Sequence, residues 1–191
     1  MPLDLLPDEP VAFLVAVMAP GSDAAHATID ALAAEFGGVQ RRGPVYDFDM
    51  TDYYEAEMGP ALSKALAWLG PPVAPAELAA RKQATIAFER HRARQGRRTV
   101  NVDPGLLSIN SLVLATTKVS GHRICIGPGL WAEVTLLFEK GAYRAQPWTY
   151  RDYQRQDVQS FLLDVRAELR RSPARSGGIG RAGGDPTGGA P

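Results

Sequence analysis

The stretch that decides the fold is residues 99–139, TVNVDPGLLSINSLVLATTKVSGHRICIGPGLWAEVTLLFE. Apolar runs of strand length alternate here with charged residues over four successive segments, at about residues 98–103, 107–116, 121–126 and 130–139. Gly127-Pro128-Gly129 joins the last two in the manner of a hairpin. We expect these four strands to form the antiparallel part of a sheet, and the rest of the chain to supply helices that pack on it.

The chain before this stretch predicts a β-α-β unit followed by helices. Residues 11–18 (VAFLVAVM) form a valine-rich apolar run, typical of a strand buried on both faces. Residues 45–50 (VYDFDM) alternate like a second strand, and a helix with one apolar stripe lies between the two. Further helices are predicted within residues 51–59, over 61–69, over the alanine- and arginine-rich 75–95, and from about Asp157 onwards.

These elements predict a single α+β domain over residues 11–171. We expect a mixed sheet of about six strands, with a β-α-β start, an antiparallel second half, and helices mainly on one face. Residues 1–10 are a lead-in. Residues 172–191 contain seven glycines and three prolines and offer almost nothing to bury, so we expect a disordered tail.

Composition limits the kinds of partner. Lys plus Arg equals Asp plus Glu, 21 against 21, so no overall charge favours nucleic acid or a membrane surface. The single cysteine, Cys125, excludes an internal disulfide and a Cys-based zinc site, and its place in a strand predicts a small buried side chain. The longest apolar run is too short to span a bilayer, and no basic residue precedes it as in a signal peptide. We therefore expect a cytoplasmic protein with no membrane partner.

Polar side chains interrupt the predicted strands and the segment after the second strand. If they lie on one side of the sheet, carboxylates and cations meet at one place. The candidate catalytic residues are His122, Asp103 and Glu133, and the candidate ligand-binding residues are Lys118, Arg123, Asp49, Asp52, Tyr53, Glu57 and Asn101.

Each residue type has a chemical role that fits such a site. Lys118 and Arg123 would hold a phosphate or carboxylate group, and His122 would transfer protons near neutral pH. The carboxylates could bind a divalent cation through oxygen, which leaves the metal and any cofactor unknown. Structural alternatives stand beside this reading: Asp103 could fix an Asp-Pro-Gly turn, the charges could form cross-strand ion pairs, and His122 could be a hydrogen-bonded histidine at the core margin.

Several familiar motifs are absent from the sequence. There is no Gly-x-x-x-x-Gly-Lys-Ser/Thr phosphate-binding loop, no Gly-x-Gly-x-x-Gly after a strand and no Gly-x-Ser-x-Gly elbow. The three histidines, at 26, 91 and 122, are not spaced as zinc ligands.

Five segments in combination carry a family resemblance. They are FDMTDYYEAEMG at 48–59, NVDPG at 101–105, TK at 117–118 with HR at 122–123, AEVTL at 132–136 and WTYRDY at 148–153. Over residues 11–170 the sequence resembles an uncharacterised prokaryotic family, a domain of unknown function, with Met50 where that family has Phe. Some of its members are labelled GTP-binding, a label that the missing phosphate-binding loop does not support here. The resemblance implies that these polar residues belong to the family's pattern, without saying what they do.

Three kinds of function remain open from sequence. The first is an enzyme or binding protein for a small anionic ligand, phosphorylated or nucleotide-like. The second is a non-catalytic RNA-associated or protein-interaction module, for which Arg90, Arg94, Arg97 and Arg98 would share a face while their helix persists. The third is a structural partner in a homo-oligomer. A concave pocket, a contiguous basic face and an exposed apolar edge would distinguish them.

Overall fold

In a computed structural model, the structure describes residues 8–51 and 53–171. This part of the chain forms one eight-stranded sheet with four α-helices. The strands are β1 Val11–Pro20, β2 Val39–Asp47, β3 Leu62–Val73, β4 Asn101–Leu107, β5 Ser111–Thr116, β6 Ile124–Gly127, β7 Leu130–Glu139 and β8 Ala142–Ala145. The helices are α1 Ser22–Phe36, α2 Glu55–Met58, α3 Leu78–Arg92 and α4 Gln156–Arg171, with 3-10 turns at Pro75–Glu77 and Arg151–Gln154.

The sheet has the order β2-β3-β1-β4-β5-β7-β6, with β8 beside β7. Neighbouring strands in the described part of the chain are antiparallel. Helix α1 connects β1 to β2, but β3 lies between them, so the two strands run parallel without touching. The α+β class is confirmed. The sheet holds eight strands where about six were expected, and β1 and β2 form a split β-α-β unit.

The central strand β1 contributes to two cores, as its continuous apolar run predicts. On one face Phe13, Val15 and Val17 pack in the core that α1 and α3 cover. On the other face Leu14 and Ala16 pack in the core that α4 covers. Because side chains alternate along a strand, one apolar run can supply both layers. Two of the three long helices therefore lie on one face of the sheet and the third lies on the other.

Strand β3 corrects the prediction of a helix over residues 61–69. Alanine and leucine in LSKALAWL favour a helix by intrinsic propensity, but β3 pairs with β1 on one side and β2 on the other. Tertiary pairing overrides local preference at such a position. The correction matters for function, because it places Lys64 inside the sheet. Strand β2 also ends at Asp47, so Asp49 lies in the loop that follows.

The Asp103-Pro104-Gly105 segment is extended within β4, so the alternative in which Asp103 fixes a turn there is wrong. Strand β4 pairs with β5 only from Gly105 to Leu107. Pro104 has no N–H group to donate, which explains why the ladder stops at this point. The added Cβ of an alanine at 105 would lie 2.5 Å from Leu114 Cδ2, so glycine is required where the two strands first meet. Before that point β4 and β5 separate and leave a gap.

Helix α3 fills one side of this gap with two buried charged side chains. Glu89 Oε1 accepts a hydrogen bond of 2.6 Å from the Val102 N–H, and Lys82 Nζ donates to the Val102 carbonyl at 3.2 Å. These backbone groups would otherwise pair with β5. The two side chains thus replace the missing strand partner, which is required because buried backbone groups need hydrogen bonds.

The prediction that Cys125 is buried is wrong. Cys125 is exposed because it lies on β6, which pairs only with β7 in the described sheet. None of the helices between residues 8 and 171 is long and apolar enough to cross a bilayer. The expected tail, 172–191, and most of the lead-in lie outside the described residues and stay predictions.

Candidate functional site

A cavity of about 920 Å³ lies where β4 and β5 separate. Its wall comes from the polar ends of several strands, from α3, from the loop after β2 and from residues 147–153. Seven of the predicted site residues lie in this wall: Asp49, Tyr53, Asn101, Asp103, Lys118, Arg123 and Glu133. His122 and Glu57 lie behind it, each bonded to a wall residue. Asp52 lies outside the described residues.

Glu133 on β7 is a buried carboxylate, only 4% exposed. Its Oε2 accepts a hydrogen bond from Arg123 Nε at 2.7 Å and lies 3.1 Å from His122 Nε2. Arg123 also donates from Nη1 to the carbonyl of Lys118 at 2.7 Å. The guanidinium therefore compensates the buried charge and ties the β5–β6 loop to the cavity wall.

The ring of His122 is fixed on three sides. Its Nδ1 lies 3.0 Å from Ser120 Oγ, and its Nε2 bonds Glu133. Its face stacks on Trp148 with 4.6 Å between ring centroids and 13° between planes, and Trp148 Nε1 donates to the Val134 carbonyl. The imidazole thus connects a carboxylate in the cavity wall to a hydroxyl outside it. This arrangement suits proton transfer.

A second chain of polar contacts orients Asp103. Arg98 binds both carboxylate oxygens of Glu57, with Nη2 2.7 Å from Oε2, and donates from Nη1 to Asn101 Oδ1 at 2.8 Å. Asn101 Nδ2 in turn donates to Asp103 Oδ2 at 3.1 Å. The hydrogen bond from Arg98 holds the pKa of Glu57 below its ordinary value. Glu57 therefore supports the wall from behind, and the side chain of Asn101, within the wall, is held between Arg98 and Asp103.

Sequence reasoning missed the most deeply buried ion pair of the described residues. Lys64 Nζ lies 2.5 Å from Asp152 Oδ2, with the two side chains 5% and 1% exposed. Tyr46 donates its hydroxyl to the same oxygen at 3.1 Å, and burial together with this carboxylate raises the pKa of Tyr46. Lys64 went unnoticed because its segment was predicted as a helix. Asp152 was visible as a lone acid in WTYRDY, but nothing in the sequence named its partner.

Lys82 and Glu89 were also missed, although both line the cavity. They occur in a long helix rich in charged residues, where most such side chains face solvent. Burial raises the pKa of Glu89 above its ordinary value, while the hydrogen bond from Val102 N–H opposes that shift. Their contacts to the Val102 backbone give them a structural role in the gap between β4 and β5.

Exposed cations and aromatic rings line the outer part of the cavity. Lys118 Nζ lies 4.8 Å from the centroid of the Tyr53 ring, which is 63% exposed. Tyr150 and Arg151, which are adjacent in the sequence, are exposed and belong to the same wall. Neither Lys118 nor Arg151 has a carboxylate within ion-pair distance in the described part of the chain. Behind them, burial raises the pKa of Tyr54 to about 12, so this phenol stays protonated.

The four arginines that were expected to share a helical face do not do so. Helix α3 ends at Arg92, so only Arg90 belongs to it. Arg94 and Arg97 pair with each other through their backbones in the following turn, and Arg98 is bound to Glu57. The feature that supported an RNA-associated module is therefore not formed as expected.

No metal site is evident in the described residues. They include no group of three or more His, Cys, Asp or Glu side chains placed to hold a metal ion. Two of the five carboxylates in the wall, Asp152 and Glu133, form ion pairs with Lys64 and Arg123.

The family can now be stated. Residues 9–169 match the family described as a domain of unknown function, DUF4416. The chain belongs to this family. No curated protein and no solved structure matches the chain. The DUF4416 region contains every residue of the cavity wall, from Met18 to Tyr153, so the cavity belongs to the family's domain and not to an appended segment.

Proposed function

We propose that this domain binds a small anionic ligand, phosphorylated or nucleotide-like, in the cavity. The observation that carries the proposal is the pair of cations, Lys118 and Arg151, which lack a carboxylate partner in the described residues. By contrast, Lys64, Arg98 and Arg123 are each bound to a carboxylate, and the buried Lys82 donates to the Val102 carbonyl. Uncompensated cations in a concave wall attract anions and bind phosphate or carboxylate oxygens.

The size and the aromatic rings of the cavity also support the proposal. A volume of about 920 Å³ is in the range of pockets for small molecules and cofactors. Tyr53, Trp148 and Tyr150 are partly or largely exposed in the same wall. Exposed rings beside cations favour a ligand with a flat group, which can stack on them while its anionic group contacts Lys118.

A stronger form of this proposal is that the cavity also catalyses a reaction of the bound ligand. Glu133 and Asp103 would act as acid and base in the cavity, and His122 would pass a proton between Glu133 and Ser120. The contacts of 3.1 Å and 3.0 Å at the two ring nitrogens favour this path. Release of inorganic phosphate from a nucleotide by the wild type, with loss in His122→Gln, would support catalysis. Binding without turnover would assign the domain to binding proteins.

The binding proposal is tested by titration with AMP, ribose 5-phosphate and inorganic phosphate. Trp148 is the only one of the three tryptophans, Trp68, Trp131 and Trp148, in the cavity wall, so its fluorescence reports on occupancy. We expect saturable quenching and a higher melting temperature, because a ligand of the folded state stabilises it. Trp148→Phe should remove most of the fluorescence response and keep the thermal shift.

Charge variants identify the binding groups. Lys118→Ala combined with Arg151→Ala should weaken binding of the phosphate probes at least about tenfold, as expected for loss of charge-assisted hydrogen bonds. Arg144→Ala is the matched control, because Arg144 is an exposed cation on β8 outside the cavity wall. The proposal fails if no probe binds at millimolar concentration, or if the double variant binds as tightly as the wild type.

A further inference from the structure

Tyr153 has a buried hydroxyl group that forms no hydrogen bond with any described residue. Its side chain lies in the cavity wall and is 2% exposed, and its hydroxyl oxygen has no hydrogen-bond partner among the described residues. Two other buried tyrosines behave differently. Tyr46 donates to Asp152, and Tyr143 donates to the carbonyl of Ser108 at 2.7 Å. A buried polar group without a partner is rare and costly in a native protein, so this hydroxyl requires an explanation.

The surroundings make Tyr153 a permanent hydrogen-bond donor. Burial, with help from the carboxylates of Asp152 and Asp103, raises the pKa of Tyr153 well above its ordinary value. The phenol therefore keeps its proton at neutral pH, and it needs an acceptor.

Asp103 supplies the complementary group in the same cavity. Its carboxylate receives one hydrogen bond, from Asn101, and has no cationic partner in the described part of the chain. The carboxylate is an acceptor with unused capacity, since it can accept about four hydrogen bonds. A donor and an acceptor in the same wall are matched by a ligand group that accepts and donates at once, and the common group of that kind is an alcohol.

We propose that Tyr153 and Asp103 determine specificity by binding hydroxyl groups of the ligand. The Tyr153 hydroxyl donates to one ligand oxygen, and the Asp103 carboxylate accepts from a ligand hydroxyl. The ligand is then a phosphorylated polyol, either a sugar phosphate or the ribose phosphate part of a nucleotide. This inference rests on the proposed anion site at Lys118 and Arg151, which would hold the phosphate while the polyol extends toward Tyr153.

The test compares ribose 5-phosphate with inorganic phosphate on the full chain. We expect the wild type to bind ribose 5-phosphate at least ten times more tightly, because only this probe reaches both the outer cations and the two inner groups. Tyr153→Phe should reduce that preference by five- to tenfold and leave the affinity for inorganic phosphate unchanged. Asp103→Asn should also reduce the preference, since an amide replaces one carboxylate oxygen by a donor.

Stability without ligand gives a second readout that separates binding from a structural role. Tyr153→Phe should not lower the melting temperature of the free protein, because the hydroxyl that it removes has no hydrogen-bond partner in the part of the chain that the structure describes. Tyr143→Phe is the matched control: it removes a partnered hydroxyl outside the cavity wall, so it should lower the melting temperature and keep the preference for ribose 5-phosphate.

These measurements distinguish failure of this inference from failure of the proposed anion site. The inference is overturned if the wild type binds both probes equally, or if Tyr153→Phe and Asp103→Asn keep the full preference; the anion site then stands. If the wild type binds AMP but neither of these two probes, the inference alone fails; if it binds none of the three, the inference and the proposed function fail together. A melting temperature that falls in Tyr153→Phe with unchanged preference would assign the hydroxyl to the fold.

Discussion

Lys64 and Asp152 lie 88 residues apart in the sequence, and their side chains form a buried ion pair with 2.5 Å between Nζ and Oδ2. The pair joins β3 to the 3-10 turn before α4, and thus joins two elements that both line the cavity. Removing one member leaves the other as an uncompensated buried charge. Loss of one partner of a buried ion pair strongly destabilises a protein. The intact pair, by contrast, contributes little more stability than a well-packed pair of apolar side chains.

We therefore predict that Asp152→Asn lowers the free energy of unfolding by about 3–5 kcal/mol. Urea unfolding followed by circular dichroism measures the change. Asp30→Asn is the matched control, because Asp30 pairs with Arg42 on the surface, and we expect a loss of at most about 1 kcal/mol there. Equal losses in the two variants would contradict the burial of the Lys64–Asp152 pair.

The close approach of β4 and β5 predicts a strict requirement for glycine at position 105. A Cβ there would lie 2.5 Å from Leu114 Cδ2 and 2.9 Å from the Val113 carbonyl oxygen. We expect Gly105→Ala to destabilise the protein by about 1–3 kcal/mol, as is typical of overpacking. Gly121→Ala has no heavy atom within 4 Å of the new carbon, and it should change stability by less than about 0.5 kcal/mol. The melting temperatures of the two variants test this prediction, which is wrong if Gly105→Ala melts at the same temperature as Gly121→Ala.

Because of Glu89, we expect the stability of the folded protein to fall as the pH rises. Burial raises its pKa in the folded protein, so the folded state holds the proton more tightly than the unfolded state does. Stability is then lost between the unfolded pKa and the raised folded pKa, and the loss is complete above the folded value. Glu89→Gln keeps an oxygen acceptor for the Val102 N–H and does not ionise. Urea unfolding at several pH values should show that this loss disappears in the variant.

For Glu57 we predict the opposite dependence of stability on pH, so it serves as the comparison for Glu89. The hydrogen bond from Arg98 lowers its pKa in the folded protein, so its contribution to stability is present above the unfolded pKa and is lost as the pH falls through the lowered folded pKa. Glu57→Gln should therefore differ from the wild type most near neutral pH and least in acid. If the stability difference from the wild type changes with pH in the same direction in Glu57→Gln and Glu89→Gln, the two carboxylates do not have the opposite pKa shifts that their contacts indicate.

Salt should weaken the proposed anion site, because Lys118 and Arg151 are exposed. Screening becomes strong when the Debye length falls to a few ångströms, near 1 M salt. We expect the affinity for inorganic phosphate to fall several-fold between low salt and about 1 M KCl. Residual binding by the Lys118→Ala, Arg151→Ala double variant should depend much less on salt. A wild-type affinity that is insensitive to KCl would argue for a site formed by buried groups instead.

The strands of residues 99–139 could be predicted because each one carries its own signal. Apolar and polar residues alternate along them, and the turns between them contain glycine and proline. Asp103, Glu133, Lys118 and Arg123 stood out in the same way, as charged residues in or beside these apolar runs, and the structure brings them to one cavity. Their proposed roles as acid, base and ligand-binding groups stay predictions.

Other features depended on contacts that no local pattern records. The sequence of β3 has helical propensity, and only pairing with β1 and β2 makes it a strand. Lys64 and Asp152 become partners only when that strand meets the turn before α4. The lack of a hydrogen-bond partner for the Tyr153 hydroxyl among residues 8–51 and 53–171 is recognisable only from the packed structure.

The sequence by itself determined the α+β class, the central apolar strand and the set of charged residues near the strand ends, because side-chain alternation and turn chemistry act over a few residues. The tertiary structure alone decided that β3 is a strand, that β4 is separated from β5 before Gly105, and which charges are paired. Pairing is a matter of distance and burial, and both arise only when segments far apart in the chain pack together.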